Sequence, residues 1–158
     1  MKRFFLACCG LMLLAFGAAG ARAQGGAATK GPDPTVVADA ELEKEALHDL
    51  EVAKHYFKMK KAYVAAYKRT NELIAGYPKF SRLDEVLYIA GMSGLYLSEG
   101  KGKQAPPKKT PEEAQEFSPE VLRGEARTYL TRVVEEFPES KFRKQAEEAL
   151  RTLGVAKK

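Results

Sequence analysis

Two glutamates and two histidines are the first side chains along the chain whose types and spacing could do chemistry. Glu45 and His48 lie three residues apart, and Glu51 and His55 lie four apart. A metal centre needs such groups to converge on one point. His48 and His55 sit seven residues apart, which on a helix is about 10.5 Å along the axis. The two acid–histidine pairs therefore read as ordinary helical neighbours on a solvated flank, and no metal is expected.

Gly91-Met92-Ser93-Gly94 is the nearest approach to a nucleophile motif. It lacks the glycine spacing and the preceding strand that expose a serine on an elbow. Ser93 also falls on an apolar helical stripe, so the expectation is a small buried residue and no catalysis. Gly100-x-Gly102-Lys103 has the glycines and lysine of a phosphate loop but neither its spacing nor its strand; it reads as a flexible loop, and no cofactor is expected. The tyrosines are core residues by ordinary expectation, but amphipathic rings at the edge of a concave helical face suit peptide contact. On that reasoning Tyr56, Tyr63, Tyr67 and Tyr88 are the candidate protein-binding residues. Lys101, Lys103, Lys108 and Lys109 form a basic loop, read as solvated, with contact to anionic lipid head groups as its alternative use.

The elements that position these residues are helices. From Leu50 to Pro78 two apolar stripes recur at threes and fours. Leu50, Ala53 and Phe57 make the first; Tyr63, Ala66, Tyr67, Thr70, Leu73, Ile74 and Tyr77 make the second. That period is helical. Lys58-Met59-Lys60-Lys61 between them predicts a tight turn and hence an antiparallel pair. Pro78 disfavours helical backbone in the residue before it and closes the second helix. The first helix is expected to start near Asp39 as its cap. A third runs from about Arg82 to Glu99, capped by Ser81. It is apolar nearly all round and therefore sandwiched, with Gly91 and Gly94 marking close backbone approach. Thr110-Pro111-Glu112-Glu113 opens a short helix ending near Phe117. Ser118-Pro119-Glu120 opens a longer one to Phe137, and a last helix starts near Ser140 and stops at Gly154.

A repeat emerges when the chain is shifted by 60 residues. Ala66 then falls on Ala126, Leu73 on Val133, Tyr77 on Phe137, Pro78 on Pro138 and Val86 on Ala146. Large residues on one helix, a small alanine at the crossing and a closing proline form the pattern of the tetratricopeptide repeat, a helical hairpin of about 34 residues. The pattern is broken at Lys61, where a turn glycine is usual, and at Thr70, where an aromatic is usual. The fold expected is all-α: two tetratricopeptide-like hairpins and a C-terminal capping helix over residues 39–154, in a right-handed solenoid, with residues 100–118 inserted in the second repeat.

The chain has 158 residues, enough for one such domain. Lys2 and Arg3, a short apolar run and Ala21-Arg22-Ala23 read as a secretory signal peptide over residues 1–23. Residues 24–38 read as a flexible linker. Both cysteines, Cys8 and Cys9, fall in the signal segment, so the mature chain would carry no disulfide and no thiolate ligand. The apolar run before Cys8 is too short for that residue to be a lipid-attachment site. The formal charge is +5. Loss of Lys2, Arg3 and Arg22 brings it to +2, which leaves no electrostatic case for nucleic acid.

EVAKHYFKMKKAYVAAYKRTNELIAGYP, followed by DEVLYIAG and echoed by VVEEFPESKFRKQAEEAL, resembles the BamD (YfiO) outer-membrane assembly lipoproteins. The likeness rests on Ala53, Tyr56, Phe57, Lys58, Tyr63, Ala65, Ala66, Tyr77 and Pro78. It implies a non-catalytic periplasmic scaffold, in the periplasm or on the periplasmic face of the outer membrane. Such a scaffold binds the β-barrel assembly machinery or its substrates and associates with membrane at most peripherally. The alternatives are a repeat adaptor of an unrelated envelope complex and an accessory protein of the lipid or cell-wall surface.

Overall fold

The structure, a computed structural model, describes residues 34–107 and 109–154. The expected signal segment with Cys8 and Cys9, the expected linker as far as residue 33, and Lys108 lie outside the described residues. Every regular element among the described residues is helical. α1 is Pro34–Lys54, continued by a π-helical stretch, His55–Lys60. α2 is Tyr63–Gly76, α3 Leu83–Ser98, α4 Pro111–Glu116, α5 Pro119–Glu136 and α6 Arg143–Gly154. α1 starts at Pro34, ahead of the expected Asp39. Proline suits the first helical position because its missing N–H would have no partner there.

The turn expected over Lys58–Lys61 is confined to Lys61 and Ala62, because Lys58 to Lys60 continue the helix at π spacing. Lys61 is left-handed, with φ 50° and ψ 35°. It is the only non-glycine with positive φ among the described residues. Its N–H and that of Ala62 both donate to the Tyr56 carbonyl, the latter at 3.0 Å. This is the helix stop that glycine usually occupies. Thr110 and Ser118 cap α4 and α5 as expected, accepting from the N–H groups of Glu113 and Val121 at 3.2 and 3.3 Å. Ser81 does not cap α3. Its hydroxyl and N–H instead reach the Glu43 carboxylate on α1. Ser140 likewise precedes its helix and donates to Asp84 Oδ2 on α3 at 2.5 Å. Each turn serine ties its corner back to an acid on an earlier helix.

Successive helices pack in order: α1 on α2, α2 on α3, α3 on α5 and α5 on α6, with α3 also touching α1 and α6. The neighbours run antiparallel. Tyr63 at the start of α2 lies 4.8 Å from Tyr96 at the end of α3, centroid to centroid. Arg127 on α5 donates to the Leu153 carbonyl near the end of α6 at 2.9 Å. α1, α3 and α6 thus line one side, and α2 and α5 the other, where Tyr129 donates to Asn71 Oδ1 at 3.1 Å.

The two corners that follow α2 and α5 share one backbone. Tyr77 has φ −131° and ψ 64°; Phe137 has φ −127° and ψ 67°. Phe80 N–H donates to the Tyr77 carbonyl at 3.1 Å and Ser140 N–H to the Phe137 carbonyl at 3.0 Å. Leu83 to Phe80 and Arg143 to Ser140 repeat the next bond, both at 3.1 Å. Ala66 and Ala126 are both fully buried, as are Val86 and Ala146. At these two corners the 60-residue shift recurs at the level of single hydrogen bonds.

α3 is the centre of the core, buried along its whole length except at Asp84, Tyr88 and Tyr96. A Cβ on Gly91 would meet Leu130 Cγ at 2.6 Å, and one on Gly94 would meet the Leu122 carbonyl oxygen at 3.1 Å. Both glycines exist because α5 lies too close for a side chain. Glu85 is buried on α3 and is held by Arg82 beside it and by Lys54 of α1 at 3.8 Å. Burying a carboxylate costs heavily unless it is paired in this way.

The inserted segment is tied down at both ends, where the sequence suggests a free loop. Lys103 N–H donates to the Lys61 carbonyl at 3.1 Å. Gly102, at φ 109°, lies so close to Tyr63 that a Cβ there would meet the ring at 2.8 Å. At the other end Phe117 is buried against Tyr67, with centroids 6.1 Å apart.

Candidate functional site

The side formed by α1, α3 and α6 carries an open groove of about 300 Å³ between α3 and α6. Tyr88, Met92 and Tyr96 line it from α3, Gln145, Glu148 and Thr152 from α6, and Glu99 and Lys101 close one end. The helix period accounts for the set. On α3 these residues recur at fours, and on α6 Gln145, Glu148 and Thr152 recur at threes and fours, so each helix gives the groove one stripe.

Tyr88 stacks on Phe142, in the turn just ahead of α6, with centroids 4.8 Å apart and planes 18° from parallel. Tyr96 joins Phe57 and Tyr63 in a three-ring cluster, at 6.0 and 4.8 Å. Offset and tilted pairs of this kind add about 0.5–1.5 kcal/mol each beyond burial. They fix the ring planes that the groove presents. Burial raises the Tyr88 phenol above the ordinary tyrosine range, and Tyr96 and Glu148 raise it further. Burial does the same to Tyr63, again with Tyr96 adding to it. Tyr88 is therefore a neutral hydrogen-bond donor across the physiological range. Lys101 bonds Glu99 at 2.7 Å, which raises its ammonium further above neutrality, and it lies 5.4 Å from the Tyr96 ring centroid. The groove thus offers aromatic faces, a thioether, phenol donors and the Glu148 carboxylate, which makes no ion pair among the described residues. That is equipment for binding an amphipathic chain segment.

The structure does not bring the four candidate tyrosines together. Tyr88 lies in the groove. Tyr63 is partly buried behind Tyr96 and covered by Gly102. Tyr56 is half-buried on the π-helical stretch beside His55, at 6.3 Å. Tyr67 is 1% exposed, sealed in a second apolar cluster with Leu97, Phe117 and Leu122. As a contact residue Tyr67 must therefore be withdrawn. The inserted segment supplies the ring that covers it, and no helical period reveals that cover. Tyr96, Gln145, Glu148 and Thr152 are the groove residues that single-helix patterns miss. For Glu148 and Thr152 the 60-residue shift holds a signal, since it places them on the positions of Tyr88 and Met92.

His48 and His55 are both exposed. Among the described residues no group of three or more histidines, cysteines, aspartates or glutamates is arranged to hold a metal ion. Ser93 is fully buried, with its hydroxyl unpartnered, and so is closed to any substrate. Comparison with protein-family models, with curated proteins and with solved structures returns no match to the chain.

Proposed function

We propose that the chain is a short tetratricopeptide-like scaffold that binds protein and catalyses nothing. Its two hairpins would be α1–α2 and α3–α5, with α6 as the cap and the α3–α6 groove as the binding face. The observation that carries this reading is the recurrence, 60 residues apart, of the same corner backbone with the same small alanine crossing. A repeat array that stacks helix pairs leaves its alternate helices lining a concave surface, and the groove lies between two such helices. The cap reading is supported by α6, whose buried residues are Ala146, Ala149 and Leu153 while Lys144, Gln145, Glu148, Arg151 and Thr152 are exposed.

With the resemblance to the BamD lipoproteins, the reading becomes an exported relative of the outer-membrane β-barrel assembly components, acting at the periplasmic side. Among the described residues no helix is long and apolar enough to cross a membrane. A photo-crosslinker at Tyr88, compared with one at exposed Arg123, tests the binding face in cells. The expected product at position 88 contains the barrel-assembly protein or an unfolded barrel precursor. A different envelope protein there would move the assignment to an unrelated adaptor, and equal crosslinking at both positions would remove the groove from the argument. N-terminal sequencing tests export and should begin at Gln24; a diacylated Cys8 would overturn that cleavage site.

A further inference from the structure

The insertion and the first hairpin turn meet at one end of the bundle, and their charges are of one sign. Lys58, Lys60 and Lys61 are exposed on the π-helical stretch and its stop. Lys101 and Lys103 are exposed on the loop that the Lys103–Lys61 backbone bond, at 3.1 Å, holds against that stop. The segments 57–63 and 100–109 contain no acid, and the nearest one on the loop, Glu99, is bonded to Lys101. Between residues 34 and 154 the acids and bases balance. Five lysines and Glu99 at this end therefore leave an acidic excess on the rest of that stretch, whose Glu51, on α1 within Coulomb reach of Lys58, is bonded to Lys54. In the middle of the lysines stands Met59, 72% exposed, the most exposed large apolar side chain among the described residues.

We propose that this end docks on the surface of a bilayer rich in anionic lipid, with Met59 entering the head-group boundary and the lysines around it contacting phosphates. Charge complementarity brings the lysines to such a surface, and an apolar tip surrounded by lysines suits an interface that is greasy on one side and charged on the other. A nucleic acid fits less well. It offers nothing to receive an exposed thioether, and the aromatic rings here, Phe57, Tyr63 and Tyr96, are already packed against one another. All five basic residues are also lysines, which act as point charges, where bidentate phosphate recognition favours arginine. The contact holds the bundle end-on. The α3–α6 groove begins at Lys101, so it would open beside the membrane surface.

The chain contains no tryptophan, so Met59→Trp places a single fluorophore at the tip. Vesicles of phosphatidylcholine containing phosphatidylglycerol should shift its emission to the blue, and pure phosphatidylcholine vesicles should not. The shift should fade in high salt, as the screening length falls from about 8 Å to about 3 Å. In co-sedimentation, Lys58→Gln/Lys60→Gln/Lys103→Gln should weaken binding by about a hundredfold, at roughly fivefold per lysine. All variants are made in the same full chain, so any contribution of residues 1–33 cancels. Because the three lysines are exposed, helix content should be unchanged, and circular dichroism checks it. An unshifted emission from the Met59→Trp variant, a triple variant that sediments as well as the parent, or a DNA duplex that displaces the anionic vesicles would each overturn the proposal.

Discussion

α3 and α6 leave corners with the same backbone, yet their surroundings differ. Only Asp84, Tyr88 and Tyr96 of α3 escape full burial, whereas only Ala146, Ala149 and Leu153 of α6 are fully buried. Under the 60-residue shift Gly91 becomes Arg151, Tyr88 becomes Glu148 and Met92 becomes Thr152. The corner depends on local residues: an aromatic, a proline and the turn bonds after them. The fate of the helix that follows depends on whether another helix arrives to cover its far side. α5 covers α3. Among the described residues nothing covers the outer side of α6, and its sequence there is polar. A repeat register therefore predicts backbone, and the next element in the chain decides surface.

The widest test of that comparison is substitution at equivalent positions. Gly91→Leu should destabilise by about 3 kcal/mol, because the leucine must displace Leu130 and α5 from a packed interface. Arg151→Leu at the matching place on α6 should change stability by less than about 0.5 kcal/mol. Urea midpoints at constant slope measure both. Similar losses at the two sites would mean that α6 has a covered face after all.

A smaller effect sharpens the alanine crossing. Ala66→Leu and Ala126→Leu should each cost about 2 kcal/mol and lower the melting temperature by several degrees, since both positions are fully buried. Ala65→Leu, only partly buried, should cost much less. If Ala65 is the sensitive site, the register of α2 and the repeat alignment fail together.

Lys61→Gly acts in the opposite direction. A left-handed lysine at the helix stop carries steric strain that glycine lacks, so the variant should gain about 1 kcal/mol. Lys61→Ala should gain nothing, which separates relief of backbone strain from loss of charge.

The smallest effect concerns a pair that α5 has and α2 lacks. Arg132 and Glu136 on α5 bond at 2.7 Å, and their α2 equivalents are Glu72 and Gly76. The Arg132 hydrogen bond holds the Glu136 carboxyl below its usual range. A lowered folded value means that the stabilisation is present above the unfolded carboxylate's range and is lost as pH falls through the folded value. Arg132→Met should thus cost about 0.3–0.5 kcal/mol at neutral pH. The difference from the parent should shrink as the solution is acidified below the ordinary carboxylate range. A difference that persists in acid would assign the effect to packing of the arginine stem.

The sequence by itself determined the helices, both proline corners, the two serine and threonine caps with proline behind them, and the close approach of some other backbone to α3. Each is written in residues near one another: apolar spacing, a proline that forbids helical backbone, a hydroxyl three residues ahead of its N–H, a glycine in an otherwise apolar helix. It did not determine that Ser81 and Ser140 turn away from their helices to Glu43 and Asp84, that Lys61 alone takes the left-handed stop, or that Tyr67 is sealed by Phe117. It also left open that Lys103 rests on Lys61, which gathers two separate lysine runs at one end. Apart from the Lys61 stop, those outcomes depend on groups some 40–60 residues apart being brought within hydrogen-bond or van der Waals reach. Only packing the helices in their final order decides them, because no local period carries the distance between residues on different helices.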